Sequence, residues 1–189
     1  FESEPAEWTR KYWVHLGVRE FERDLWSNVF GNGQPVPIGA GMCLRRVVAE
    51  HYLRYLEMNP QRATLDRASH RLMSCGDTDL ALTACDLGLG TGMFTALELV
   101  HLMPARRLEE SYLRELVHGI TYSAAILGSF RGQRPTLPSR SQRFLRWYES
   151  LRIDPRARAF DAIIAKAQEE ALADIPKFFP AANLEAAAR

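Results

Sequence analysis

The sequence predicts an all-α fold of roughly seven helices. Apolar residues recur at three- and four-residue spacing through most of the chain. No run alternates apolar and polar residues convincingly with period two over five or more positions, so no strand is expected. Glycine- and proline-rich punctuation divides the chain into pieces of helical length. With 189 residues, 47% hydrophobic and 25% charged, the chain suits one globular domain with an appended arm.

The first piece is an aromatic N-terminal helical arm, residues 1–30, in which Trp8, Tyr12, Trp13, Leu16, Phe21, Leu25, Trp26, Val29 and Phe30 keep helical spacing. The loop Gly31 to Pro37 ends it. A helical domain is expected over 40–175. Its first helix covers 40–58, with Leu44, Val47, Val48, Tyr52, Tyr55 and Leu56 on one broad face, and stops at Asn59-Pro60. A helix over 63–74 follows, then a turn at 76–79 whose Asp or Thr side chain caps the next helix. Residues 79–103 read as helix, glycine-rich turn, helix. Further helices are expected at 106–118, from Thr121 to Phe130, at 140–151 and at 155–175, with a loose tail over 176–189.

Several function classes are disfavoured. No apolar run approaches the ~20 residues that span a bilayer, and Phe1-Glu2-Ser3-Glu4-Pro5 lacks the order of a signal peptide. A cytoplasmic location without a membrane partner is expected. Cys43, Cys75 and Cys85 are odd in number and form no CxxC pair, so buried reduced thiols are expected rather than disulfides or a zinc cluster. His15, His51, His70, His101 and His118 form no ligand spacing such as HExxH, and no serine sits in a nucleophile elbow. No metal, no cofactor and no catalytic residue is expected.

Asp86-Leu87-Gly88-Leu89-Gly90-Thr91-Gly92 invites comparison with loops that hold S-adenosylmethionine or a dinucleotide. Such loops follow a buried strand, whereas Leu80 to Cys85 has weak β-propensity and follows a cap signal. A helix-turn-helix fits better: Ala84, Leu87, Gly88, Leu89, Phe94 and Leu97 take its small, turn and inner-face places. No Arg or Lys occurs from Asp77 through Pro104, so a structural hairpin is the plainer reading there.

A second candidate helix-turn-helix covers 109–130, with Leu113, Leu116, Val117, Ile120, Ala124 and Leu127 facing inward and Gly119 in the turn. Thr121, Tyr122 and Ser123 then begin the reading helix, the end that reaches base edges. The arginines 131, 134, 140, 143, 146, 152, 156 and 158 follow, against Glu149 and Asp154, so that 8 − 2 gives this stretch a charge of +6 in a chain of net +1. Arg131, Arg134, Arg140, Arg143 and Arg146 are the candidate phosphate clamps. A core hairpin followed by a solvated basic helix is the alternative.

Arg131-Gly132-Gln133-Arg134-Pro135, then Leu137-Pro138, then Phe144 and Trp147 three apart resemble the segment following the helix-turn-helix in the FlhC family of flagellar activators and in FlhC-like activators of mobile elements. The resemblance covers about 109–150. It implies DNA binding within a hetero-oligomer containing a small helical partner, and carries over no catalytic residue. The four-cysteine zinc site of that family has no counterpart here.

The expected function is therefore a DNA-binding transcriptional regulator, acting on duplex DNA as a homo- or hetero-oligomer. The alternative is a non-catalytic helical adaptor or chaperone that grips protein partners through Trp8, Trp13 and Trp26, because tryptophan anchors interfaces. A third reading is a small-molecule enzyme using Gly88–Gly92.

Overall fold

The computed structural model describes residues 1–29, 35–66, 72–133, 135–136, 138–150 and 152–179, with only the backbone of 140, 143, 146 and 150. The all-α class holds. The five α-helices among the described residues are α1 (Arg46–Met58), α2 (Gly76–Asp86), α3 (Glu110–Phe130), α4 (Arg140–Ser150) and α5 (Pro155–Phe178). Short 3-10 helices occupy Glu7–Leu16, Pro60–Leu65 and Ala105–Leu108. No helix among the described residues is long and apolar enough to cross a membrane.

The frame is α3 packed on α5. Asp154 caps α5 by accepting the Ala157 N–H at 3.0 Å, and Pro155 starts the first turn without wasting a donor. From there Phe160, Ile164, Ala167, Ala171 and Ile175 recur at helical spacing and meet the apolar side of α3. Ala167 and Ala171 are wholly buried, and their small side chains let the helices approach closely. Contacts advance along both helices together. Glu110 Oε2 accepts from Arg156 Nε (2.9 Å), His118 Nε2 meets Glu170 Oε2 (3.0 Å), Tyr122 OH donates to Asp174 Oδ2 (2.9 Å), and the Phe130 and Phe178 rings lie 6.0 Å apart. The two helices therefore run parallel, and the chain after Phe130 must travel back along α3, a helix of about 31 Å at 1.5 Å per residue. The return segment contains α4.

Two apolar clusters flank this pair. Near its start, Tyr12 and Leu16 pack with Met103, Leu113, Leu116, Val117 and Phe160, and the Tyr12 ring stacks on Phe160 at 4.2 Å. Toward its end, Leu65, Met73, Cys75 and Leu82 pack on Tyr122, Ile126 and Leu127. The N-terminal arm is thus part of the core rather than an appendage.

The structure differs from the expected elements in several places. The N-terminal helix ends at Leu16, because Gly17 turns left-handed at φ +83°. Leu25–Ser27 (β1) then pairs antiparallel with Thr91–Met93 (β2), Leu25 opposite Met93, so a small sheet exists where none was expected. The pairing explains the glycines. A Cβ on Gly90 would lie 2.9 Å from the Ser27 carbonyl oxygen, and one on Gly92 would lie 2.9 Å from that of Leu25. No helix follows the turn at Gly88, so the 79–103 helix-turn-helix is not formed. Gly119 is not a turn either, since α3 passes through it unbroken; residues 72–73 cross the helix there, and a Cβ on Gly119 would sit 2.2 Å from the Leu72 carbonyl oxygen. The helix expected over 63–74 is the 3-10 helix Pro60–Leu65, while 67–71 lie outside the described residues. At the other end α5 runs through Pro176 to Phe178, and 180–189 lie outside the described residues.

Candidate functional site

The three residues expected to touch bases sit in the middle of α3. Ser123 is fully buried; its Oγ donates to the Gly119 carbonyl at 2.7 Å and accepts the Ser74 N–H at 3.3 Å. Tyr122 is buried and spends its hydroxyl on Asp174. Thr121 is half-buried one position before them. Without a turn at Gly119 there is no helix N-terminus to present them, so they are corrected from groove contacts to core and helix-pair residues.

Arg131 is also corrected. It stands just past the end of α3 with its side chain only 6% exposed. Its Nη2 donates to Asp79 Oδ1 and to the Asp79 carbonyl, both at 2.8 Å, and its Nη1 reaches Asp86 at 2.9 and 3.0 Å. Arg62 completes the cluster: Nη1 bonds both Asp79 oxygens at 2.8 and 2.9 Å, Nη2 donates to the Phe130 carbonyl at 3.2 Å, and the guanidinium lies over the Tyr55 and Phe130 rings. Asp79 has no exposed surface. A buried carboxylate needs such partners, because desolvation otherwise costs several kcal/mol, on the order of what a small domain has to spare. The surroundings feel it: burial, and then the Asp79 charge, push the Tyr52 hydroxyl up to about 12. The cluster ties α2, the 60–65 segment and the end of α3 together. Sequence reasoning missed it, although a lone acid heading the apolar run Leu80 to Ala84 was a signal that a cation must come to it.

Of the other clamp candidates, Arg134 lies outside the described residues, while Arg140, Arg143 and Arg146 occupy one helix, α4, at intervals of three. Among the described residues, no other element packs extensively on α4. Phe144 (62%), Leu145 (56%) and Tyr148 (48%) are all exposed on it. Trp147 (56%) is exposed on the same helix, so apolar and basic positions alternate around α4.

The tryptophans divide. Trp8 is half-buried against Tyr12 and Phe160, with the Arg156 guanidinium 4.4 Å from its ring centre. Trp13 is half-buried, donates Nε1–H to Thr9 Oγ1 at 3.0 Å and packs on Phe1. Both pack against the apolar cluster at the start of the α3–α5 pair and keep part of their surface exposed. Trp26, on β1, is 70% exposed. The thiols divide as well: Cys75 is buried, Cys85 is partly so, and Cys43 is exposed rather than buried.

A half-open cleft of about 1210 Å³ lies between the 17–22 segment, the 37–48 segment, α2 and residues 89–103. Ile38, Met42, Val48, Ala84, Met93 and Met103 make its walls apolar. Its rim carries Glu20, Glu22 and Glu98 against Arg19 and Arg45, and along it Leu97, Leu99 and Val100 are exposed. Gly90 and Gly92 line it too, but their close approach to β1 accounts for them without a phosphate cradle. Comparison with protein-family models, curated proteins and solved structures finds no match to this chain.

Proposed function

We propose that the chain is a DNA-binding transcriptional regulator that engages duplex DNA through α4 and its flanks rather than through a helix-turn-helix. The observation that carries this reading is the display of a basic helix outside the packed core. Arg131 is sequestered and Arg156 is paired with Glu110. The remaining six arginines of 131–158 still outweigh Glu149 and Asp154, 6 − 2 giving +4. Three of them recur on one side of an 11-residue helix, a width that a major groove accepts. The resemblance to FlhC-like activators spans α4 and supports the same reading.

Fluorescence anisotropy with a labelled duplex at low salt tests it. The wild-type chain is expected to bind, and an Arg140→Ala/Arg143→Ala/Arg146→Ala variant to bind far more weakly while melting at the same temperature. Equal binding by the two would overturn the assignment to α4. The adaptor alternative has one observation in its favour, the exposed apolar residues of the same helix, and predicts no DNA binding by either protein.

A further inference from the structure

We propose that Phe144 and Trp147 stack on unpaired bases, so that α4 holds DNA with an opened stretch more tightly than intact duplex. The inference rests on the reading of α4 as the DNA-binding helix and names the form of DNA that the helix prefers. Phe144, Trp147 and Tyr148 keep the i, i+3, i+4 spacing that gathers side chains into one stripe of a helix. All three are exposed, and the ring centres of Phe144 and Trp147 lie 5.6 Å apart with the rings tilted by 36°. In an intact duplex each base has its faces covered by its neighbours, which leaves an exposed aromatic ring nothing flat to meet. An unpaired base offers a whole face, and stacking on aromatic side chains is how single strands are held without regard to sequence.

The arginines follow the same register. Arg140 precedes Phe144 by four residues, Arg143 precedes Trp147 by four, and Arg152 follows Tyr148 by four. Four residues is about one helical turn, so positions 140 and 143 share the aromatic stripe instead of opposing it. At Tyr148 the couple is formed: Arg152 Nη2 donates to the Tyr148 hydroxyl at 3.2 Å, and the guanidinium lies 5.3 Å from the ring centre. Residues 140–152 thus hold four arginines, three aromatic residues and Glu149, and 4 − 1 gives the segment a charge of +3. A nucleic acid strand repeats one negative charge and one flat base per nucleotide, the complement of an arginine–aromatic couple. A protein partner would have to supply a carboxylate beside an apolar facet several times in the same register. The repeated couple therefore favours a DNA strand as the occupant of this stripe.

The test compares two labelled DNAs of one length by fluorescence anisotropy, an intact duplex and the same duplex with a central unpaired stretch of about six nucleotides. Wild type is expected to bind the opened DNA roughly tenfold more tightly than the duplex, the effect of one or two stacked bases. A Phe144→Ala/Trp147→Ala variant, altered only at exposed positions, is expected to melt like wild type, to keep its affinity for duplex and to lose the preference. Trp147→Phe is expected to retain the preference while losing the quenching of tryptophan fluorescence that stacking on Trp147 produces in wild type. Equal binding of the two DNAs by wild type, or a preference that survives in the double alanine variant, would overturn the proposal and leave duplex binding by α4 standing. Binding of neither DNA would overturn both, and binding of the opened DNA alone would uphold stacking and remove the duplex from the reading of α4.

Discussion

Arg131 and Asp79, 52 residues apart, hold one another at 2.8 Å with almost no exposure to solvent. Arg62 grips the other side of the same carboxylate. Removing Asp79 takes away the carboxylate that two buried guanidinium groups share, leaving Arg131 with Asp86 and Arg62 with the Phe130 carbonyl. Asp79→Ala is expected to lower the unfolding free energy by about 3–5 kcal/mol, read from urea denaturation. Arg131→Ala is expected to destabilise without changing the affinity for DNA of whatever remains folded. A normal melting curve for Asp79→Ala would mean that the cluster does not hold the fold.

Two glycines of α3 make opposite predictions. At Gly119 an added Cβ meets the Leu72 carbonyl oxygen at 2.2 Å, so Gly119→Ala should cost roughly 1–3 kcal/mol despite the better helix propensity of alanine. At Gly128 the nearest neighbours stand at 3.6 Å or beyond, ordinary contact, so Gly128→Ala should stabilise by up to ~1 kcal/mol. Thermal melts of the two variants check the pair; a Gly119→Ala variant as stable as wild type or more so would contradict the crossing at Gly119.

Stability should fall as the solution becomes mildly acidic. Burial first, and then Arg19, hold the His15 imidazole below its usual value, so the folded state favours the neutral ring. The unfolded chain therefore takes up the proton first. The contribution is complete above the unfolded value of 6.5 and is lost as pH falls below it toward the folded value. His15→Leu should flatten this part of the profile of unfolding free energy against pH. At lower pH Glu110, held below the usual carboxylate range by Arg114 and Arg156, should add a second loss that Glu110→Gln removes. A His15→Leu profile as steep as that of wild type between pH 7 and 5 would refute the first part.

Thiol reactivity should sort with burial. Burial, aided by Asp77 and Asp79, pushes the Cys75 thiol up to about 12, and a thiol without thiolate is inert. Cys43 is exposed. In the native protein Cys43 should react promptly with a disulfide reagent and Cys75 only after unfolding, as peptide mapping would show.

What was legible in the sequence was local. The 3.6-residue period placed α1, α4 and α5, and the Asp154-Pro155 start of α5 follows from cap chemistry alone. What was not legible depended on residues far apart in the chain. Glycine serves both tight turns and close chain crossings, so Gly119 could be read either way until Leu72 was seen against it. The pairing of Leu25–Ser27 with Thr91–Met93 joins strands too short to carry a period. Arg131 looked like a surface cation because its partners, Asp79 and Asp86, lie in another helix. The basic character of 140–146 was legible; that the groove residues before it belong to a core helix was not.

The most direct measurement is the slope of the logarithm of DNA affinity against the logarithm of salt concentration, for wild type and the Arg140→Ala/Arg143→Ala/Arg146→Ala variant. Each phosphate contact contributes about −0.9 to that slope. If α4 holds the duplex, the variant's slope should be shallower by roughly 2.7, three contacts' worth. Identical slopes, or wild-type binding indifferent to salt, would contradict it.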